Sequence, residues 1–183
     1  EKDGFFTDEI DSVTYDGGRK TGEVTISDDE HPRRGSTMEG LSRLRELNKG
    51  GVTTAGNASG VNDGAVAMIV GSKKLGEQTG MKPIARILAS ASAGVEPRIM
   101  GFGPVPASQK ALQRAGLELK DMDIIEINEA FAAQVLACLR GFNLDLDDSR
   151  VNPNGGAIAL GHPLGASGPR IALTAARELH RRD

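Results

Sequence analysis

Short β-prone runs and helical segments take turns along most of this chain, and that alternation limits it to an α/β layered plan. Val52-Thr-Thr54 is a short β-prone run. Ala65-Val-Ala-Met-Ile-Val70 is a continuous apolar run that suits a buried strand. Ser72 to Thr79 reads as a helix ended by Gly80, and Ile84 to Ser92 as the next strand. The second half repeats the pattern. Val105 to Ala115 reads as a helix ending at Gly116, and Asp123-Ile-Ile-Glu-Ile127 as a short strand. Ala130 to Leu139 follows as a helix with Phe131, Val135 and Leu139 at helical spacing. Ala166 to His180 is a last helix with Ala172, Ala176 and Leu179 on one face. Pro169 either marks its start or kinks a helix begun at Pro163; the kink is preferred. Residues 1–50 are polar and turn-rich. Asp16-Gly-Gly18 and Asp28-Asp-Glu30 read as turns, and Ser36 to Leu47 as a short helix with Thr37, Leu41, Leu44 and Leu47 on one side.

The chemistry concentrates in the stretch from Asn152 to Gly168, where Gly155, Gly156, Gly161, Gly165 and Gly168 surround His162. Glycine lets backbone approach closely, and histidine accepts or gives a proton near neutral pH. Pro163 suits the first turn of a helix. A helix N-terminus carries partial positive charge, which favours a neutral imidazole, the form that serves as general base. A glycine-rich turn holding a chance histidine is the plainer alternative.

Composition excludes several classes. The net charge of −3 lacks the basic balance of a nucleic-acid binder. Aromatics make up 3% and Trp is absent, so base-stacking platforms are not expected. The single cysteine, Cys138, forms no internal disulfide, and no Cys/His cluster has zinc spacing, so no metal site is expected. This fits a reducing cytoplasm. No apolar run reaches the ~18 residues of a membrane-spanning helix. Glu1-Lys-Asp-Gly4 is not a signal peptide and reads as a start in mid-element. Gly-rich loops before helices can cradle phosphates. Here no Gly-Lys-Ser/Thr follows, and no dinucleotide fingerprint stands between a strand and a helix, so a nucleotide hydrolase or dehydrogenase is not supported.

Three segments together resemble one family. Asn152 to Gly168 resembles the GHP histidine loop of thiolases, which make or break 3-oxoacyl-CoA. Gly56-Asn-Ala-Ser-Gly-Val-Asn-Asp-Gly-Ala65 resembles their coenzyme A loop, and Asn128-Glu-Ala-Phe131 their NEAF motif. They occur in family order with roughly family spacing, and the likeness runs from Gly4 to Arg182. The resemblance implies a layered α-β-α-β-α fold with mixed sheets, here truncated. Residues 1–50 would belong to the loop domain that covers coenzyme A. Residues 51–72 would end the N-terminal half, and residues 73–183 would form most of the C-terminal half without its final strands.

The resemblance also implies roles. His162 would activate a nucleophilic thiol and help hold the thioester oxygen. Asn128 would position a water in an oxyanion hole; capping the following helix is an alternative or additional role for it. Glu129 would form a structural bond, and Phe131 would be core or pocket wall. Ser59 would bond the pantetheine arm of coenzyme A, with Ala58 and Gly60 letting that arm lie close; a tight turn would use the same residues. Arg33, in His31-Pro-Arg-Arg34, aligns with an arginine near the nucleotide end, and Met100 would touch the acyl pocket. The family's two cysteines would precede residue 1 and follow Asp183, so the chain is expected to be inactive alone. Cys138 reads as a small buried apolar residue. Coenzyme A is then substrate, with no further cofactor, and a dimer or tetramer is implied for the intact protein.

Val95-Glu-Pro-Arg-Ile-Met-Gly-Phe-Gly-Pro-Val-Pro-Ala107 and Asn152-Pro-Asn154 most resemble degradative thiolases, especially those acting on 3-oxoadipyl-CoA. That acyl chain ends in a carboxylate, so its pocket calls for a cation. The alternative is a non-catalytic thiolase-like protein that binds acyl-CoA or lipid, or assembles with partners. Retention of His162 and Asn128 weighs against it.

Overall fold

Hydrogen-bond pairing, not apolar content, decides which of the expected strands exist. The protein is described by a computed structural model covering residues 4–183; the expected mid-element start at Glu1-Lys-Asp3 lies outside the described residues. A hairpin forms where turns alone were expected. Strand β1, Val13–Asp16, pairs antiparallel with β2, Glu23–Ile26, in the register Val13 to Ile26 and Asp16 to Glu23. The Asp16-Gly-Gly18 turn starts its loop: Gly18 N donates to Asp16 Oδ1 at 2.8 Å, and Gly17 N to the Gly22 carbonyl at 2.7 Å.

The expected helix from Ser36 to Leu47 shrinks to α1, Met38–Ser42. Thr37 caps it by accepting from Gly40 N at 3.1 Å. Beyond it, Leu47 N donates to the Thr53 carbonyl at 2.8 Å and Glu46 bridges Thr54, which pulls the chain extended. The Val52-Thr54 run is thus a single bridge, not a strand. Helix α2, Lys73–Thr79, forms as expected, with Ser72 as cap and Gly80 left-handed at φ 69°.

The expected strands over 65–70 and 84–92 have no ladder partner among the described residues. Ile69 and Val70 are exposed, at 81% and 71%, where burial was expected. An apolar run becomes a strand only when neighbours take its N–H and C=O groups. Residues 84–92 are held by side chains instead. His180 Nε2 meets the Ile84 carbonyl at 2.8 Å, and Lys110 Nζ donates to the Ser92 carbonyl at 3.3 Å.

The C-terminal region is built differently. After the 3-10 turn Pro97–Phe102 come α3, Pro104–Ala115, and α4, Ala132–Phe142. Gly116, at φ 67°, ends α3 as expected. Val105, Ile127, Val135, Cys138 and Leu139 form the buried cluster between these helices, with Phe102 and Phe142 packed on it. Full burial of each such aliphatic side chain is worth about 1.5–3 kcal/mol.

The expected strand Asp123–Ile127 reduces to one parallel bridge, Ile125 to Val151. Asn152 ends it by turning left-handed, at φ 44°. Its side chain then supplies the next ladder bonds: Oδ1 accepts from Ile127 N at 2.8 Å and Nδ2 donates to the Ile127 carbonyl at 2.9 Å. Among the described residues β1–β2 is the one sheet, and the segments expected to build the mixed sheets of the layered fold carry no further strand ladder.

Helices α5, Ala157–Leu160, and α6, Leu164–Arg182, complete the chain. Helix α6 begins just after His162 and runs through Pro169, as preferred from the sequence. Glu178, fully buried, accepts from Asn154 Nδ2 at 3.0 Å and from Arg182 Nε at 2.7 Å. Those bonds, with the guanidinium of Arg181 foremost, hold its carboxyl down at about 2. Through Asn154, α6 braces the loop that leads to His162. Among the described residues no helix is long and apolar enough to cross a membrane.

Candidate active site

His162 is placed by what surrounds the start of α6. Its backbone N–H donates to Asn62 Oδ1 at 3.0 Å. Arg170, nearly two turns into the helix, donates from Nη2 to the Gly161 carbonyl at 2.8 Å. The imidazole bonds at both nitrogens: Nδ1 lies 2.6 Å from Ser167 Oγ and Nε2 lies 3.3 Å from Asn128 Nδ2. The two residues expected to do the chemistry therefore touch, although 34 positions separate them.

Asn128 does not cap α4, because that helix begins at Ala132 after Phe131. Its amide is free for the site. Oδ1 is buried with no partner among the described residues, so the amide keeps an acceptor for a further donor. The segment carrying Asn128 is held by Asn152 through Ile127, and Glu129 locks the other side. The Glu129 carboxylate accepts from Asn152 Nδ2 at 2.9 Å and from Ile158 N at 3.1 Å. This is the structural bond expected of Glu129. A Cβ on Gly156 would overlap that carboxylate, so glycine is required there.

Residues 56–65, expected to be the coenzyme A loop, close onto the same place. Ser59 N donates to the Ala130 carbonyl at 3.0 Å, and Ala132 N to the Asn57 carbonyl at 2.9 Å, around a bridge between Ala58 and Phe131. Ala58, Ser59 and Gly60 are half-buried. A side chain at Gly60 would strike the His31 ring and Asn62. His31 Nε2 in turn meets the Ile158 carbonyl at 3.0 Å. Phe131 is 46% exposed, which suits a pocket wall better than core.

Two expected residues stand apart from this cluster. Arg33 is exposed, in a turn closed by Ser36 N on its carbonyl at 3.1 Å. It shares a loop with His31. Met100 is 76% exposed on the Pro97–Phe102 turn, next to Gly101, where an added side chain would strike Gln134 of α4. Cys138 is buried, with Sγ donating to the Gly101 carbonyl at 3.3 Å, and burial pushes its thiol up. It remains a neutral core group.

Sequence reasoning assigned no role to Asn62, Asn152, Ser167, His31 or Arg170. Asn62 and Ser167 lie inside quoted motifs, and the signal that could have found them is a short polar side chain among glycines. Glu126 was also missed. It lies two residues before Asn128, its Oε1 is buried without a partner among the described residues, and burial, then the Glu129 charge, pushes its carboxyl up to about 7.

The family descriptions "Thiolase, N-terminal domain" and "Thiolase, C-terminal domain" match residues 1–74 and 81–183. The chain belongs to the thiolase family. It is 55% identical to the 3-oxoadipyl-CoA/3-oxo-5,6-dehydrosuberyl-CoA thiolase of Escherichia coli K12, over 100% of this chain and 46% of that protein. Human mitochondrial 3-ketoacyl-CoA thiolase superposes with a TM-score of 0.89 at 49% identity, covering 99% of this chain and 45% of that one. The same human enzyme in complex with CoA gives 0.88 at 48% identity, covering 99% and 44%. The chain spans somewhat under half the length of the relatives it matches. Over that span its path is that of the thiolase fold, even where strands lack their ladder.

Proposed function

We propose that the full-length protein carrying this chain is an acyltransferase that cleaves or forms 3-oxoacyl-CoA with coenzyme A through an acyl-cysteine. One observation carries the reading: the coenzyme A loop, Asn128 and His162 converge, with Asn62 on His162 N at 3.0 Å and Asn128 on Nε2 at 3.3 Å. In this reading His162 takes the proton of a cysteine thiol as it attacks the 3-oxo carbonyl. The bond between C2 and C3 breaks, the departing acetyl-CoA carbanion takes a proton from the second family cysteine, and coenzyme A receives the acyl group. Cys138, buried on Gly101, is not that thiol; the cysteine comes from the length of the relatives that this chain does not span. Asn128 holds an oxyanion-hole water through its spare acceptor and its amide donor.

Ser59, Ala58 and Gly60 line the pantetheine arm, Arg33 sits near the nucleotide end, and Phe131 and Met100 border the acyl group. Coenzyme A is substrate and no other cofactor takes part. The similarity to a 3-oxoadipyl-CoA thiolase supports a short acyl chain with a distal carboxylate. We place the enzyme in the cytoplasm as a homodimer or homotetramer, with neither nucleic acid nor membrane as partner.

The test is thiolysis by the full-length protein of 3-oxoadipyl-CoA against acetoacetyl-CoA. His162→Ala is expected to cut turnover about a hundred- to ten-thousandfold, the range of a lost general base. Near-normal turnover in that variant overturns the reading, as does acyl-CoA binding without cleavage by the unaltered protein.

A further inference from the structure

The imidazole of His162 works as a base only with its lone pair on the nitrogen that faces the site, and a buried hydroxyl on α6 controls which nitrogen that is. Nδ1 lies 2.6 Å from Ser167 Oγ, and Nε2 lies 3.3 Å from Asn128 Nδ2. Ser167 is 2% exposed, so water does not compete for its hydroxyl. That hydroxyl has one hydrogen and two neighbours within bonding distance, Nδ1 and the Pro163 carbonyl at 3.1 Å. A carbonyl only accepts. The network closes when Ser167 donates to Pro163 and accepts from Nδ1–H. The bare Nε2 then faces the Asn128 amide nitrogen across 3.3 Å, a long contact that gives way when a thiol S–H takes the same lone pair. The reverse network has Ser167 donating to Nδ1, and requires both that the hydroxyl give up the Pro163 carbonyl and that the Asn128 amide turn its Oδ1 toward Nε2–H.

We propose that Ser167 is a positioning residue that holds the proton of neutral His162 on Nδ1 and so keeps Nε2 as the base toward the thiol. The proposal rests on the thiolase reading of His162. Its geometric basis lies in the start of α6. Ser167 falls one turn into the helix, so its hydroxyl folds back over Pro163 onto the ring that precedes the helix. Arg170 fastens Gly161, and Asn62 fastens His162 N, so the ring has little freedom to leave the hydroxyl. An orienting partner on the remote imidazole nitrogen selects the tautomer in the same way that other groups do in catalytic and metal-bound histidines.

The test combines nitrogen-15 NMR of the imidazole with kinetics, both on the full-length protein. Signals of His162 are assigned by their loss in His162→Gln. The unaltered protein is expected to show a pyrrole-type Nδ1 and a pyridine-type Nε2, and Ser167→Ala a mixture or the reverse. Ser167→Ala is also expected to lower kcat roughly ten- to a hundredfold, the range for one hydrogen bond to a group that becomes charged. KM for coenzyme A should stay in place, since alanine touches no coenzyme A contact, and the melting transition should fall only modestly, by the loss of one buried hydroxyl in a helix that alanine suits. A pyrrole-type Nε2 in the unaltered protein overturns the proposal. So does unchanged kcat in Ser167→Ala alongside lost turnover in His162→Ala, which leaves the thiolase reading standing. Normal turnover in His162→Ala removes the thiolase reading, and the NMR result then decides the tautomer by itself.

Discussion

Residues 4–96 and residues 97–183 are built on different principles, yet they share one site. Every buried residue lies in the second region, between Val105 and Glu178. The first region has a hairpin, two short helices and long unpaired stretches, with Ile69, Val70 and Ile87 at 70% exposure or more. The second region needs only helices and a small apolar cluster, which local hydrogen bonds and short-range packing supply. It sets the angle of Asn128 and His162. The first region contributes the coenzyme A loop, attached by single hydrogen bonds at Ser59, Asn57 and Asn62. Under the proposed function, catalytic geometry and substrate grip have separate structural support, so they should fail separately.

The strongest way to break the second region is Gly156→Ala. Its new Cβ would drive the Glu129 carboxylate off Asn152 and Ile158, and we expect a loss of about 3 kcal/mol in urea unfolding. Asn152→Ala removes both bonds to Ile127 and the one to Glu129, with an expected cost of about 2 kcal/mol and a parallel fall in kcat.

Two glutamates then sharpen the comparison by pH, with opposite signs. Glu178 is held down at about 2 against an ordinary 4.5. Its contribution is complete above 4.5 and is lost as pH falls from 4.5 toward 2. Glu178→Gln should therefore destabilise at pH 7 and flatten the acid limb of the unfolding curve. Glu126 is pushed up to about 7, so the folded state holds a proton that the unfolded chain has lost. Stability should decline as pH rises from 4.5 through about 7. Glu126→Gln should leave pH 4 stability unchanged and raise stability at pH 8.

The smallest effect on stability belongs to the first region. Asn62→Ala should change unfolding by less than about 0.5 kcal/mol. It should nevertheless raise KM for coenzyme A and speed amide exchange at His162, whose N–H it releases.

Legibility from sequence follows the same division. Helices α2, α3 and α6 were readable because their stops are local: Gly80 and Gly116 turn left-handed, and Pro163 precedes α6. The strands over 65–70 and 84–92 were not readable as paired elements, because pairing depends on partners that apolar content does not name. Asp123–Ile127 failed for a sharper reason: Asn152 leaves the strand and imitates it with its side chain. At the site, His162, Asn128 and the coenzyme A loop were legible as motifs and the structure brings them together. Asn62 and Ser167 were not, since each acts through one bond whose partner lies across a turn or a hundred residues away. Arg33 and Met100 are both exposed, away from the hydrogen bonds that join His162, Asn128 and Ser59.

In the proposed function a loop from the loosely built region and two side chains from the packed region form one coenzyme A site. Amide hydrogen exchange of the full-length protein, with and without coenzyme A, tests it most directly. We expect coenzyme A to slow exchange together in residues 56–64, 128–132 and 161–163, including the bonded amides of Ser59, Ala132 and His162. Protection confined to one of these segments, or found only elsewhere in the chain, would contradict the account.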